Sequence, residues 1–178
     1  HDHARARAYA EKCESLFPSF GPAVSQLGYI ELELAQATGT TGTAEAQHLQ
    51  KAVGYLERAV HGDWHGDESG KMVAQSNLSA ALMKLGRFED AKKVGAEALQ
   101  TAAAIGQPDY PDAQFNYGRA CEATGALQEA HEHYLRALES RPDHQLTIFA
   151  LKALRQRLRD ARLPLPPVPE QLKKVLGE

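Results

Sequence analysis

The residues best suited to metal chemistry lie in one short polar run, His61-Gly-Asp63-Trp64-His65-Gly-Asp67-Glu68. Imidazole and carboxylate groups are ligands for zinc or iron. No helical His-x-x-x-His pair and no CxxC fixes a ligand geometry for them. We therefore favour a polar connection between two helical units over a metal site. In this interpretation Asp67 caps the following helix and Trp64 packs over the joint.

Other combinations that would support catalysis are also weak. His131 and His133 are two residues apart on a predicted helix, so their side chains point in different directions. Cys13 and Cys121 fall at helical core positions and lack the basic or helix-start setting that favours a thiolate. The sequence contains no GxSxG and no phosphate-binding glycine loop of Walker type. We expect no catalytic residue, no metal and no cofactor.

Two asparagines are the clearest candidates for binding chemistry. Asn77 and Asn116 each stand nine residues before a glycine, Gly86 or Gly125. An amide side chain carries both a donor and an acceptor, so it can pair with the backbone of an extended peptide. The alternative is that each amide bonds to its own scaffold between helices, because buried amides seek partners. We favour peptide binding.

The elements that carry these asparagines repeat along the chain. The segments Asn77–Ala91 and Asn116–Ala130 match in register through the two glycines, which are 39 residues apart. Each segment predicts a helix, a tight glycine turn and an antiparallel helix with apolar stripes that need a stacked neighbour. The second helix of the first segment continues through Ile105, which accounts for the long spacing.

These segments resemble tetratricopeptide repeats (TPRs), whose usual period is about 34 residues. The resemblance rests on alternating small and large residues, the turn glycine, Phe88 or Leu127 two residues later, and the terminal Pro142. It covers Lys71 to Pro142, with departures at Gly95 and Ala103, which we expect to weaken packing at one joint. The resemblance implies an all-α fold, a right-handed α-solenoid that presents the first helix of each repeat on its concave face.

The predicted domain organisation extends this pattern in both directions. A repeat domain spans 1–163, with a partial repeat (1–18), a degenerate repeat (22–61) containing the long connection Gly39–Thr43, two clear repeats (71–106 and 109–142) and a capping helix (143–163). Arg155, Arg157, Arg159 and Arg162 are assigned to the solvent face of the cap. Residues 164–178 form a proline-rich segment, which favours polyproline II, and a short helix at Glu170–Leu176 that either folds back or leaves the solenoid.

The TPR resemblance implies that exposed residues of the first helices contact a partner. We assign Ser76, Asn77, Lys84, Asp112, Phe115, Asn116 and Arg119 to this role. TPR domains that clamp the acidic C-terminal tail of a chaperone carry lysines and arginines at positions that here hold Tyr29, Glu33, Val73, Leu146 and Ala150. Only Arg119 remains to attract a carboxylate, so we do not expect a chaperone tail as the ligand.

The composition of the chain narrows the classes of partner that we expect. The 20 Lys and Arg against 23 Asp and Glu give a charge of −3, which does not favour nucleic acid, and aromatic residues are only 7%. No apolar run approaches the roughly 18 residues of a membrane span. Two cysteines outside any CxxC make a reducing compartment the default, so we expect the cytoplasm. The sequence begins at His1 without Met, which leaves the compartment open.

The sequence therefore predicts an interaction module or assembly adaptor that holds a peptide or protein segment in the concave groove. The alternative is a regulatory or substrate-positioning domain of a larger enzyme. The apparent lack of a partner helix before residues 1–18 motivates this alternative.

Overall fold

The computed structural model describes residues 3–37 and 42–177, and in this part of the chain the fold is all-α. The nine helices of the described residues are α1 (His3–Leu16), α2 (Gly21–Gln36), α3 (Gly42–Val60), α4 (Glu68–Lys84), α5 (Phe88–Ala104), α6 (Pro111–Ala123), α7 (Leu127–Ser140), α8 (Gln145–Asp160) and α9 (Glu170–Leu176). The predicted connection Gly39–Thr43 lies largely outside the described residues.

The helices pair in sequence order and then stack. The most extensive contacts are between α2 and α3, α4 and α5, and α6 and α7, as expected for successive helical hairpins. The first helices of the hairpins also contact one another, α2 with α4 and α4 with α6, and α8 extends this layer beside α6. The apolar stripe of each hairpin is thus buried against its neighbour, which is how a solenoid builds its core.

Glycine makes the turns within the two clear repeats. Gly86 has φ +75° and Gly125 has φ +83°, a backbone conformation that glycine adopts without a Cβ clash. The N–H groups that follow close the turns, from Arg87 N to Leu82 O at 3.0 Å and from Ala126 N to Cys121 O at 2.8 Å. Both turns have the hydrogen bonding of a Schellman motif, which satisfies carbonyls at the end of the helix.

Small residues let the paired helices approach closely. A Cβ at Gly118 in α6 would lie 2.8 Å from the ring of Tyr134 in α7, and one at Gly28 would lie 2.6 Å from Leu56 Cγ. The equivalent pair in the middle repeat is Ser79 and Gly95, both small. There the ring of Tyr117 from the next repeat lies 3.1 Å from the Cβ that Gly95 lacks. The Tyr117 ring therefore fills the space beside Gly95, at the joint where we expected weaker packing.

The polar run before α4 is a connection, as we favoured from the sequence. Asp67 Oδ1 accepts a hydrogen bond from Gly70 N at 2.9 Å and caps α4. Trp64 is buried, donates from Nε1 to Ala59 O at 2.8 Å, and packs between Gly21 of α2 and Gly70 of α4. Trp64 thus seals the joint between the first two hairpins.

A buried carboxylate attaches α1 to the solenoid. Glu31 in α2 is only 1% exposed, and its two oxygens lie 2.6 Å from Arg7 Nη2 of α1 and from His48 Nδ1 of α3. Burial alone would raise the pKa of Glu31, but the hydrogen bonds from His48 and Arg7 together hold that pKa below its usual value. Because α1 buries only Ala10, this ion pair is a main contact of α1 with the next hairpin.

The C-terminal segment folds back onto the last helices. Leu172 and Leu176 of α9 are buried in one cluster with Leu154 and Leu158 of α8. The assignment of Arg155 to a solvent face is wrong, because its side chain is 6% exposed. Arg155 Nη1 lies 2.9 Å from His131 Nε2 and donates to Pro166 O at 2.9 Å. The returning chain covers Arg155, which could not be read from α8 alone.

Candidate functional site

A cavity of about 220 Å³ opens between α4, α6 and α8, on the layer formed by the first helices. It is lined by Val73, Ser76, Asn77, Tyr110, Asp112, Phe115, Asn116, His144 and Leu146. Five of the seven residues that we assigned to partner contact lie in this lining. We call this cavity, together with the exposed residues beside it on α6 and α8, the concave groove.

The two equivalent asparagines have different surroundings in the groove. Asn116 donates from Nδ2 to Ser76 Oγ at 3.0 Å and to Ser76 O at 3.2 Å, so it links α6 to α4. Ser76 itself is 3% exposed. The amide nitrogen of Asn116 therefore bonds within the protein, as in the second of the two alternatives for these asparagines. Half-buried Asn77 lines the cavity beside it.

Asp112 and Phe115 form the wall of the cavity nearest α8. Asp112 makes an ion pair with Arg141 and lies 3.8 Å from His144 Nε2, so its charge is balanced locally. The ring of Phe115 is 9% exposed and meets the His144 ring edge-on at 5.3 Å. Burial and the nearby Arg141 lower the pKa of His144 despite Asp112, which favours a neutral imidazole here.

The remaining predicted residues, Arg119 and Lys84, lie towards the opposite ends of α6 and α4. The Arg119 guanidinium is 5.8 Å from the centroid of the Phe115 ring, within cation–π range. Arg119 also lines a second cavity of about 460 Å³, beside Glu122 and its ion-pair partner Arg157. Lys84 is exposed. Neither Arg119 nor Lys84 therefore lines the cavity that holds the other five predicted residues.

Sequence reasoning missed two residues of α8 as candidate contacts. Leu146 is 62% exposed and Phe149 is 68% exposed, one helical turn apart on the side away from the buried stripe of α8. Leu146 borders the cavity beside Val73 and Phe115. From the sequence alone, Leu146 counts only as a departure from the chaperone clamp. The sequence does contain a signal for this exposed surface, because two apolar residues three positions apart lie outside the apolar period that forms the core.

Polar clusters elsewhere in the molecule stabilise the fold. Glu129 accepts from Lys92 Nζ at 2.7 Å and from Tyr117 Oη at 2.6 Å, which lowers the pKa of Glu129 to about 2. Burial raises the pKa of the nearby Cys121 thiol to about 11, so this group is a poor nucleophile. No three His, Cys, Asp or Glu side chains within residues 3–37 and 42–177 are placed to hold a metal ion.

One family model matches the middle of the chain. The model named Tetratricopeptide repeat matches residues 71–143, which contain α5 to α7 and all but the first three residues of α4. Residues 71–143 of this chain are therefore TPR repeats. The matched region corresponds closely to the segment, Lys71 to Pro142, on which the sequence resemblance rested.

A solved structure extends the likeness beyond the matched repeats. The chain is similar to the first TPR domain of Spaghetti (RPAP3), with 21% sequence identity and a TM-score of 0.55. The match covers 76% of this chain and 95% of that domain, which was solved bound to the HSP90 peptide SRMEEVD. At this identity the likeness concerns the fold. A search of curated proteins found no match.

None of the helices in the described residues is both long enough and apolar enough to cross a membrane.

Proposed function

We propose that this chain is a TPR protein that binds a segment of a partner protein in the concave groove. One observation carries the proposal: Leu146 exposes a large apolar side chain at a cavity that gathers five predicted contact residues, and Phe149 exposes another one helical turn further along α8. Exposed apolar side chains next to polar hydrogen-bonding groups are typical of a binding surface. The groove holds and orients its ligand as an adaptor would, without a chemical step.

The groove favours a ligand with two kinds of side chain. Leu146, Phe149 and Val73 offer an apolar surface for an aliphatic or aromatic anchor. Arg119 on α6 and Lys84 at the end of α4 supply positive charge outside the cavity, where an acidic side chain of the ligand would be attracted. Asn77 can pair with the backbone of the ligand between these two regions.

The likeness to the Spaghetti domain supports a peptide ligand, because that domain holds a peptide on a similar fold. Its ligand is an HSP90 peptide, but the basic residues expected of a chaperone-tail clamp are replaced here by Val73, Leu146 and Ala150. We therefore propose an internal segment with an apolar anchor as the ligand and do not propose a chaperone tail. The same groove would position a substrate segment if the chain were the regulatory part of an enzyme.

The test begins with a random peptide library selected on the immobilised chain. We expect the selected peptides to combine an apolar anchor with acidic residues. The affinity of the best peptide is then measured for the unchanged chain and for the variants Leu146→Asp and Phe149→Asp. Each charge should weaken binding at least about tenfold, because it places an unpaired carboxylate against the apolar anchor.

The matched control is Phe17→Asp, which changes an aromatic residue of similar exposure (62%) that lies in the connection between α1 and α2. This variant should bind the peptide with unchanged affinity. Circular dichroism and thermal melting verify that all three variants fold. The proposal fails if no peptide is selected, or if the two α8 variants bind as well as the control.

A further inference from the structure

The segment between α8 and α9 has an unusually constrained backbone. Four of its seven residues, Leu163-Pro-Leu-Pro-Pro-Val-Pro169, are proline, and each proline fixes its own φ near −65°. Every other member precedes a proline and is therefore biased towards extended conformations. Pro169, with φ −53° and ψ 140°, has polyproline II geometry. We call this segment, Leu163–Pro169, the proline strap.

A tight turn starts the strap. Arg162 adopts φ +55°, and the N–H of Leu163 bonds to Leu158 O at 2.9 Å, closing α8 with a Schellman motif. This turn directs the chain across the end of the solenoid, where α9 anchors it through buried Leu172 and Leu176. The strap is thus tethered to the folded domain at both ends.

Contacts along the strap hold one of its sides against the protein. Arg155 Nη1 donates to Pro166 O at 2.9 Å, and Gln128 Nε2 makes a long contact with Pro164 O at 3.5 Å. Pro166, Val168 and Pro169 are partly covered. A ligand that is already held in its bound conformation loses little entropy on binding, so this tethering favours recognition by a partner.

The opposite side of the strap faces solvent. A polyproline II helix has three residues per turn, so Pro164 and Pro167 lie on one edge, and both are exposed. Leu163 is 46% exposed and Leu165 is 39% exposed. The exposed edge therefore shows a P-x-x-P pattern formed by Pro164 and Pro167, with the exposed Leu163 and Leu165 on either side of Pro164.

We propose that the proline strap is a docking site for a partner that carries an SH3-type domain. Such domains bind P-x-x-P segments in shallow grooves lined by aromatic side chains, and they use the preformed polyproline II helix. The exposed Arg162 next to the strap adds a positive charge that suits an acidic rim on such a groove. The strap lies outside the concave groove, so this interaction is independent of peptide binding there.

The test uses a panel of purified SH3 domains as probes and the full chain as the target. At least one domain should bind with Kd below about 1 mM, and its binding should shift backbone amide signals of the strap in NMR spectra. The double variant Pro164→Ala/Pro167→Ala should weaken this binding at least about tenfold, because it removes both prolines of the exposed edge.

The matched control within the strap is Pro169→Ala, which changes a partly covered proline outside this edge. It should retain the affinity of the unchanged chain, with the NMR signals of α9 showing that the tail stays docked. The proposal is overturned if no domain in the panel binds below about 1 mM. It is also overturned if the double variant binds as well as the unchanged chain, or if Pro169→Ala alone abolishes binding.

Discussion

Single residues at equivalent repeat positions serve different purposes in this protein. Asn116 bonds to the carbonyl and the hydroxyl of Ser76, so part of its hydrogen-bonding capacity connects α6 to α4. Asn77 occupies the same position one repeat earlier and borders the groove while partly exposed. Conformational stability should therefore depend on Asn116, and ligand binding more on Asn77.

This difference can be measured with alanine substitutions. Asn116→Ala should lower the free energy of unfolding by about 1–2 kcal/mol, because it leaves the buried Ser76 carbonyl without that donor. Asn77→Ala should change it by less than about 0.5 kcal/mol, as is usual for a partly exposed site. Urea unfolding followed by circular dichroism gives both values. Equal losses for the two variants would contradict the distinction.

The sequence predicts which residue types lie near the groove but not how deeply each is buried. Ser76 and Phe115 were both expected to be exposed contacts, yet they are 3% and 9% exposed. Asn116 covers Ser76, and the His144 ring at the start of α8 packs on Phe115. Both covering groups come from other repeats, so periodicity within one repeat carries no information about them. Whether these residues contact a ligand stays a prediction.

At the scale of the helices, the close approach of α6 and α7 depends on the absence of a side chain at Gly118. A methyl group there would come within 2.8 Å of two ring carbons of Tyr134, which is fully buried and has little freedom to move. Gly54 in α3 is also helical but exposed, and a methyl group there would meet no atom within 4 Å. Gly118 and Gly54 are therefore a matched pair of helical glycines for testing the effect of an added methyl group.

Alanine at these two positions should have opposite effects. Gly118→Ala should destabilise the protein by about 1–3 kcal/mol, because an overpacked joint forces α6 and α7 apart. Gly54→Ala should stabilise it by about 0.4–1 kcal/mol, because alanine restricts the unfolded chain and favours the helix. Urea midpoints measure both shifts. Destabilisation by both substitutions would show that helix geometry, not the Tyr134 contact, sets the requirement for glycine.

Helix positions were largely predictable from the sequence, whereas tertiary contacts of the tail were not. The turn glycines and the apolar period placed α4 to α7 closely, since both signals are local. The sequence left two fates open for Glu170–Leu176 and assigned Arg155 to solvent. Whether this helix folds back depends on the packing of Leu172 and Leu176 against the apolar surface of α8. That packing is a tertiary contact, which the local sequence pattern does not reveal.

For the molecule as a whole, the structure predicts a loss of stability in mild acid. Burial and the nearby Arg136 lower the pKa of His133 to about 4 from an ordinary value of 6.5. His133 Nδ1 hydrogen bonds to Gln114 Oε1 at 2.5 Å, and its ring contacts Tyr117 edge-on at 4.6 Å. Between these pH values the unfolded chain binds a proton at this histidine and the folded chain does not.

The free energy of unfolding should therefore fall as the pH is lowered from 6.5 towards 4, with a further fall below pH 4.5 as Glu129 approaches its pKa of about 2. The variant His133→Gln should show a shallower decline between pH 6.5 and 4. Chemical denaturation at several pH values provides the comparison. Parallel curves for the two proteins across this range would exclude His133 as a source of the acid sensitivity.

The stacked hairpins place α4, α6 and α8 side by side, and we propose that these three helices together hold a partner segment. The most direct measurement is photo-cross-linking of a library-selected peptide that carries a benzophenone, followed by mass spectrometry of the linked residues. If this proposal is right, the cross-links will lie on α4, α6 and α8 around Asn77, Phe115 and Phe149. Cross-links confined to the outer helices α3 and α5, or to the proline strap, would contradict it.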